Sequence, residues 1–308
     1  MEKVLVTGGA GFIGSHLVES LLNKGFKVVV VDNLLRGNKI PKRIADDVEL
    51  IVDDVCKETI VYRHSKGCKY IFHFAAMLGV DIVADNPVKT MDVEVIGMRN
   101  VMKAALKNSV SQIIYSSTSG IYGHSAIEKS VQEHIQVDPR TSYAIAKRFN
   151  EIYLAAQFEE NGIESIALRF FNIYGPRQDE RMVIPRFISQ AKQNKPITIF
   201  GKGHQTRDFT FIDDTIKSIL LLLGKTKGSE IFNVSNENEL EIISLANIIK
   251  NYLGSNSKIL CLDAPTKRYD FEVERRIGDS SKLYEYTGYK PDTNIEKGLS
   301  IILSQLID

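Results

Sequence analysis

The sequence contains no hydrophobic run long enough to cross a membrane. None of its apolar stretches reaches the ~18 residues that a transmembrane helix requires, and glycines from Gly8 onward interrupt the apolar start, which excludes a signal-peptide core. An excess of charge is also lacking, because 39 basic and 38 acidic residues give a net charge of +1. No broad field attracts nucleic acid or an anionic membrane, so we expect any anion to be bound locally.

Cysteine is scarce and irregularly spaced. The three cysteines, Cys56, Cys68 and Cys261, are an odd number without C-x-x-C spacing, which favours neither a disulfide framework nor a zinc site. We therefore expect no metal, a reducing compartment and a cytoplasmic protein. Low-complexity and Pro/Ser-rich linkers are also absent, and 308 residues with 44% hydrophobic and 25% charged content indicate one large globular domain or two.

The pattern of apolar residues predicts an α/β fold. Short β-branched runs alternate with helical patterns between residues 3 and 168, which is typical of a Rossmann-like doubly wound parallel sheet with helices on both faces. After Arg169 the predicted elements become short and loop residues become frequent. We therefore predict a dinucleotide-binding domain over residues 1–171 and a smaller C-terminal α/β substrate domain over 172–308. Because residues 209–235 read as a helix and strand that return to the main sheet, the second domain is predicted to be discontinuous.

The segment VLVTGGAGFIGSH predicts a dinucleotide-binding turn. Gly8, Gly11 and Gly14 follow a buried strand directly and open a helix. Glycines at this spacing permit a tight turn and let the backbone approach a pyrophosphate, while the helix N-terminus presents free N–H groups to the anion. Phe12 and Ile13 lie within the same turn and are predicted to contact the cofactor.

Asp32, at the end of the second strand, indicates that the dinucleotide is NAD. Its carboxylate lies 18 residues beyond Gly14, where it can bind both ribose hydroxyls and repel the 2′-phosphate of NADP. Arg36 could reach such a phosphate, but we interpret it as a solvated loop residue. The other predicted cofactor contacts lie at or after strand ends: Asn33, Asp54, Val55, Phe74, Ala75 and Ala76. His73, inside an apolar strand, is interpreted as a core histidine.

Tyr143 and Lys147 are predicted to form the catalytic pair. They are four residues apart in a helical pattern and therefore share one helix face. A tyrosine with an ordinary pKa of ~10 is a poor base at neutral pH, but a nearby ammonium and an oxidised nicotinamide both favour the phenolate. Thr118, at the end of the strand QIIYSST, can bridge the tyrosine oxygen and a substrate hydroxyl.

These features together resemble one known family, the extended short-chain dehydrogenase/reductases, and in particular its UDP-glucose 4-epimerase-like nucleotide-sugar epimerase/dehydratase branch. The resemblance covers nearly the whole chain and is carried, besides Tyr143 and Lys147, by TGGAGFIGSH, VDN, HFAA, YSSTSGIYG, LRFFNIYGPRQ and GKGHQTRDFTFIDD. It implies an NAD-dependent enzyme, and a homodimer formed by helices around residues 93–106 and 143–160. Glu94 stands where many members carry Asn, and no role is assigned to it.

The resemblance also implies a nucleotide-sugar site. Arg207 matches the family's diphosphate-binding arginine, and Arg268 lies where relatives carry a second one, although the surrounding RPGD pattern is altered here. Asn172 matches the asparagine that donates to the diphosphate. Phe200 resembles the aromatic residue that stacks on the base, which in this family is most often uracil.

The residues after Thr118 bear on the reaction. The 4,6-dehydratases carry Asp and Glu there, whereas this chain has Ser119 and Gly120. Uronate decarboxylases usually carry Thr-Ser-Glu, so Gly120 argues against decarboxylation, yet Arg276 falls where those enzymes place an arginine near the C6 carboxylate. The expected activity is C4 epimerisation of a UDP-sugar. UDP-glucuronate decarboxylation is the alternative, followed by a 4-ketoreductase and a non-catalytic NAD-binding sensor.

Overall fold

A computed structural model describes residues 1–77, 80–126, 130–263 and 273–305 of the chain. The chain divides into two compact units. The first unit comprises residues 1–121, 141–169 and 219–232, and the second comprises residues 122–140, 170–218 and 233–308. Among the described residues, no helix combines the length and the apolar character needed to cross a membrane.

The first unit is an α/β layer structure built on a parallel sheet. Its strands and helices are β1 (Lys3–Thr7), α1 (Phe12–Asn23), β2 (Lys27–Asp32), β3 (Val48–Val52), α2 (Glu58–His64), β4 (Cys68–His73), α3 (Val80–Asp85), α4 (Pro87–Lys107), β5 (Gln112–Thr118), α5 (Ser142–Asn161) and β6 (Glu164–Phe170). A further strand, β9 (Ser229–Val234), completes a seven-stranded sheet in the order β3-β2-β1-β4-β5-β6-β9. The predicted Rossmann-like fold class is therefore confirmed.

The position of each strand in the sheet explains its composition. β1, β2 and β4 are central strands whose residues are almost all buried, which is why they read as continuous β-branched runs. β3 pairs only with β2 at one edge and leaves Val52 60% exposed. One face of the sheet forms a core with α4, which includes Leu5, Val29, Ile71, Ile113, Met98, Val101 and Met102.

The second unit contains shorter elements. They are α6 (Val183–Lys192), β7 (Ile197–Phe200), β8 (Thr206–Asp208), β10 (Glu239–Glu241), α8 (Ile242–Tyr252), β11 (Ile259–Leu262), α9 (Ser281–Thr287) and α10 (Ile295–Ser304), and the helix α7 (Ile212–Leu222) runs from this unit into the first. β11 pairs in parallel with β7, and β10 pairs antiparallel with β8.

The two units differ from the predicted division in detail. The main boundary falls after Arg169 instead of residue 171, and residues 122–140 belong to the second unit. The segment that returns to the first unit is 219–232, which is shorter than the predicted 209–235. Arg268, predicted to bind the diphosphate, lies outside the described residues.

Candidate active site

The turn between β1 and α1 is packed so closely that three of its glycines have little or no room for a side chain. Gly8 has a φ of +70°, and a Cβ there would lie 2.6 Å from the backbone nitrogen of Ala75. A Cβ on Gly14 would lie 2.2 Å from the carbonyl oxygen of Gly8, and one on Gly11 would lie 3.2 Å from the same oxygen. Gly11 is the N-cap of α1 and supplies no side-chain cap, so the first amides of the helix suit an anionic ligand.

Asp32 lies beside this turn, at the end of the neighbouring strand. Its Oδ2 accepts a hydrogen bond of 3.0 Å from the amide of Ala10, and its Oδ1 accepts one of 2.8 Å from the amide of Leu34. Partial burial raises the pKa of Asp32, and the two backbone hydrogen bonds oppose that rise. The carboxylate is thus fixed in orientation at the carboxyl edge of the sheet, as ribose binding requires.

The remaining predicted cofactor residues also lie along the carboxyl ends of β1 to β4. The amides of Phe74 and Ala75 donate to Thr7 Oγ1 at 3.2 and 3.3 Å, which joins the ends of β4 and β1. Asp54 Oδ1 accepts a hydrogen bond of 2.8 Å from the amide of Cys56 and so caps the turn after β3. The other members of the set are Phe12 and Ile13 at the start of α1, Asn33 after β2, the buried Val55 after β3, and Ala76 after β4. These placements fit a dinucleotide.

The helix that carries Tyr143 and Lys147 begins just before them. Thr141 is the N-cap of α5, and its Oγ1 accepts a hydrogen bond of 3.0 Å from the amide of Ala144. Lys147 is fully buried, and its Nζ donates to the carbonyl oxygen of Ser116 at 2.7 Å. The same Nζ lies 5.4 Å from the centre of the Tyr143 ring. Lys147 is therefore held beside the tyrosine and is not a solvated surface lysine.

A second charged group, which the sequence did not reveal as functional, contacts this lysine. Glu94 of α4 is fully buried, and its Oε2 lies 3.1 Å from Lys147 Nζ. Asn150 fixes the surroundings, because its Nδ2 donates to the Glu94 carbonyl oxygen at 3.1 Å and to the Tyr115 hydroxyl at 2.9 Å. Burial raises the pKa of Glu94 and lowers that of Lys147, while their mutual attraction opposes both changes.

Burial also affects the tyrosine itself. Desolvation raises the pKa of Tyr143, and the negative charge of Glu94 raises it further. Both effects favour the protonated phenol. A positive charge has to be brought close before the phenolate can form at neutral pH.

Thr118, Ser119 and Gly120 lie at the carboxyl end of β5 and in the turn of 3₁₀ helix that follows it. The Thr118 hydroxyl oxygen accepts a hydrogen bond of 3.1 Å from the amide of Gly120. A Cβ on Gly120 would lie 3.3 Å from Thr118 Oγ1 and 3.9 Å from the Cβ of Ala144. A side chain at position 120 would therefore start beside Thr118 and the Tyr143 helix, where this chain has only a hydrogen.

His73 is a buried core residue, as its place inside an apolar strand predicts. Its Nδ1 is 2.8 Å from Thr7 Oγ1, and its ring stacks on Tyr115 with 5.8 Å between the ring centres. Its Nε2 makes no hydrogen bond within the described part of the chain. Burial lowers the pKa of His73 to about 3, so the imidazole is neutral at physiological pH.

The predicted nucleotide-sugar residues lie in the second unit. Asn172 has a φ of 31°, and its Nδ2 donates to the Asp208 carbonyl oxygen at 3.0 Å. Arg207 Nη1 donates to the carbonyl oxygens of Thr206 and Val273 at 2.7 and 2.9 Å. Phe200 is half-buried at the end of β7, and the guanidinium carbon of Arg186 lies 5.4 Å from the centre of its ring. Arg276, in the described segment 273–305, is also half-buried.

The chain is similar over nearly its full length to enzymes of two activities. It is 33% identical to a putative UDP-glucose 4-epimerase of Methanocaldococcus jannaschii, over 98% of this chain and 97% of that protein. It is 32% identical to a UDP-N-acetyl-alpha-D-glucosaminuronate decarboxylase of Bacillus cytotoxicus, over 97% of this chain and 95% of that protein. Sequence similarity alone therefore does not separate epimerase from decarboxylase.

Solved structures and a family model agree on the wider group. The structure of UDP-glucose 4-epimerase from Thermotoga maritima with UDP-glucose matches with a TM-score of 0.92 and 30% identity, covering 99% of this chain and 100% of that one. The NAD complex of the Thermus thermophilus UDP-glucose 4-epimerase matches with a TM-score of 0.89 and 28% identity, covering 99% of both chains. The family model for the NAD dependent epimerase/dehydratase family matches residues 4–235. This chain belongs to the NAD-dependent epimerase/dehydratase family.

Proposed function

We propose that this protein catalyses the C4 epimerisation of a UDP-linked hexose, N-acetylhexosamine or hexuronate, using NAD as its cofactor. The observation that carries the proposal is the composition of the segment after β5. Thr118 is present beside the Tyr143 helix, but Ser119 and Gly120 supply neither a carboxylic acid nor a carboxylate. With no carboxyl group at these two positions to start an elimination, returning the hydride to the 4-keto sugar is the simplest outcome.

The chain's own residues account for the proton transfer. Tyr143 takes the proton of the C4 hydroxyl, with Thr118 bridging the two oxygens. Lys147, held by the Ser116 carbonyl oxygen at 2.7 Å, keeps an ammonium close to the phenol. The glycine turn and Asp32 would hold NAD, which would supply the acceptor for the C4 hydride. Tyr143 then gives its proton back to the alcohol, so neither a proton nor a hydride is consumed overall.

The substrate's nucleotide is assigned to the second unit. We propose that Arg207 and Asn172 bind the diphosphate and that Phe200 stacks on the base, with Arg268 as a further diphosphate ligand. Arginine suits this role because its planar fork can bind two phosphate oxygens at once. The half-buried positions of Arg207 and Phe200 support the assignment, since each can still reach a ligand.

UDP-glucuronate decarboxylation is the second candidate. It is supported by Arg276, whose guanidinium could pair with a C6 carboxylate, and by similar proteins such as the UDP-glucuronic acid decarboxylase 1 of Xenopus tropicalis, 31% identical over 97% of this chain and 70% of that protein. Gly120 opposes it, because the position beside Thr118 carries no carboxylate. A 4-ketoreductase and an NAD-binding sensor are the remaining alternatives.

The test is to incubate the purified protein with UDP-glucose, UDP-N-acetylglucosamine and UDP-glucuronate that carry deuterium at C4. The proposal predicts a C4 epimer of at least one of these sugars, with the deuterium still at C4 and no net change in NADH. Release of carbon dioxide from UDP-glucuronate would establish the decarboxylase instead. Continuous oxidation of added NADH by a keto sugar would establish the reductase.

Tyr143→Phe separates an enzyme from a sensor. The variant retains the aromatic ring but has no proton to exchange, so turnover should fall by at least about a hundredfold, while NAD binding persists. Tyr62→Phe is the matched control, because Tyr62 lies on α2 with 36% of its surface exposed and is expected to leave the rate unchanged. Full activity in Tyr143→Phe would contradict the proposed mechanism.

We also propose that the protein is a homodimer that pairs through α4 and α5. Ile145, Phe149 and Ile152 of α5 lie on one helix face and are 46%, 47% and 55% exposed. Such a row of large apolar side chains is costly to leave in water. Sedimentation velocity should show a dimer that Phe149→Glu dissociates, whereas Tyr252→Glu, at another exposed aromatic residue, should not. A wild-type monomer at micromolar concentration would rule out this interface. The predicted cytoplasmic location stays a prediction.

A further inference from the structure

The buried carboxylate of Glu94 has no task in the mechanism above, yet it touches the group on which that mechanism depends. Its Oε2 is 3.1 Å from Lys147 Nζ, and both side chains have no exposed surface. Its other oxygen, Oε1, forms no hydrogen bond among the described residues. A buried acid with an unused oxygen is costly, and within the described part of the chain its charged contact is the lysine beside the proposed base.

The other titratable groups packed around Glu94 do not cancel its charge. On β4, His73 is neutral, because burial lowers its pKa to about 3. On β5, Tyr115 is neutral, because burial raises its pKa, and its hydroxyl lies 3.5 Å from Glu94 Oε2. On α5, Glu151 is a second anion, but Arg169 and Arg148 already bind it. Among the described residues, Lys147 is therefore the cation that pairs with Glu94.

We propose that Glu94 is a positioning residue that keeps Tyr143 protonated until a cationic ring is bound beside it. The carboxylate offsets the ammonium of Lys147, so that the pair presents no net charge to the phenol. The lysine by itself then does not produce the phenolate, and NAD bound in its oxidised form would add the positive charge that the phenolate needs. Glu94 thereby withholds the base in the free enzyme, so that the base becomes available only in the oxidised complex.

This inference rests on the proposed function, since it gives Tyr143 the role of base. It departs from the simplest expectation of the Tyr-x-x-x-Lys motif, in which the lysine alone lowers the pKa of the tyrosine. The negative charge of Glu94 raises the pKa of Tyr143. Removing the charge of Glu94 should therefore have a measurable effect on the titration of Tyr143.

The direct test is an ultraviolet difference titration that follows tyrosinate formation. Subtracting the titration of Tyr143→Phe from that of the parent isolates the signal of this one phenol. In the Glu94→Gln background, which keeps the shape and removes the charge, Tyr143 should ionise about one pH unit lower or more. Glu94→Asn is a second neutral variant with the same expectation, in case the glutamine variant does not fold.

Glu94→Asp distinguishes a charge effect from a packing effect. It keeps the negative charge but shortens the side chain, so it should titrate much closer to the wild type than Glu94→Gln does. If Glu94 only filled space, the order would be reversed, because Gln matches its volume and Asp does not. Equal titration of Tyr143 in the wild type, Gln and Asn proteins would overturn the inference.

The pH profile of kcat/KM tests whether Glu94 affects the ionisation of Tyr143 during turnover. At low pH, Glu94→Gln should be faster than the wild type because more of its tyrosine is ionised, and at high pH it should be equal or slower because its base is weaker. The two profiles should therefore converge or cross as the pH rises. If Tyr143→Phe remains active, the proposed function is wrong. If Tyr143→Phe is inactive but the pH profiles of Glu94→Gln and Glu94→Asn match that of the wild type, only the proposed role of Glu94 is wrong.

Discussion

The carboxylate of Glu151 on α5 receives two hydrogen bonds of 2.9 Å from the guanidinium of Arg169 on β6. Both side chains are almost entirely buried. The Ser117 hydroxyl on β5 donates to Glu151 Oε1 at 2.6 Å, and Arg148 Nη1 donates to Oε2 at 2.9 Å. This one carboxylate thus joins the helix of Tyr143 to the strand that ends in Thr118, and fixes the relative position of the proposed base and its bridging hydroxyl.

Removing Glu151 should destabilise the protein strongly. In Glu151→Ala the guanidinium of Arg169 stays buried without its main counter-charge, and the expected loss is about 3–5 kcal/mol in the free energy of unfolding. Urea denaturation followed by circular dichroism measures it. The control is Lys69→Met, which breaks an exposed 2.5 Å pair with Glu2 and should cost at most about 1 kcal/mol. Similar losses in both variants would contradict the structural role of Glu151.

The buried carboxyl of Asp208 predicts a pH dependence of stability. Desolvation raises its pKa from the ordinary 3.8 to about 6, although Ser235 and three backbone amides hydrogen-bond to it. Because the folded state holds this proton more tightly than the unfolded state, the contribution of Asp208 to stability falls as the pH rises from about 4 to about 6 and is constant above. The total change corresponds to about 3 kcal/mol.

The comparison of wild type with Asp208→Asn isolates this contribution, because the asparagine does not titrate. The difference between their free energies of unfolding should decrease between pH 4 and pH 6. A difference that increases over this range would show that the hydrogen bonds to the carboxylate outweigh its desolvation.

Asp32 should determine the choice of cofactor. Asp32→Asn keeps the shape of the side chain but loses the charge that favours ribose hydroxyls and repels a 2′-phosphate. Binding of NADH should weaken by roughly 10- to 100-fold, since a hydrogen bond to a charged group contributes about 1.5–3 kcal/mol, and the preference over NADPH should shrink. Fluorescence titration with both nucleotides measures this. Asp53→Asn, which loses only a surface pair with Lys57, should bind like the wild type.

Gly14→Ala should disrupt the nucleotide-binding turn. The added Cβ would lie 2.2 Å from the Gly8 carbonyl oxygen and 2.7 Å from the Gly9 Cα, both of which are backbone atoms that cannot rotate away. We expect a lower melting temperature and loss of NADH binding. Gly120→Ala, whose nearest neighbour would be a side-chain oxygen at 3.3 Å, should melt close to the wild type. Unchanged NADH binding in Gly14→Ala would contradict this packing.

The parts of the site that are local in sequence could be predicted. Gly8, Gly11 and Gly14 form one turn, Asp32 ends the next strand, and Tyr143 and Lys147 are one helical turn apart, so spacing alone places each group. The similarity of the chain to both epimerases and decarboxylases shows where prediction from motifs stops. We propose that single positions, such as Gly120 and Arg276, determine which of these reactions occurs.

The amino-acid sequence by itself determined the fold class, because buried parallel strands have a pattern that depends on neighbouring residues. The glycine turn after β1, which we propose binds the dinucleotide, is equally local in sequence. Only the tertiary structure brought Glu94 to Lys147 across 53 positions of chain, and Glu151 to Arg169 across 18. Judged from the composition of their helices alone, both glutamates would be expected to face solvent. The packing of the helices on the sheet decides whether a buried charged side chain contacts one of opposite charge. No local sequence pattern predicts that contact.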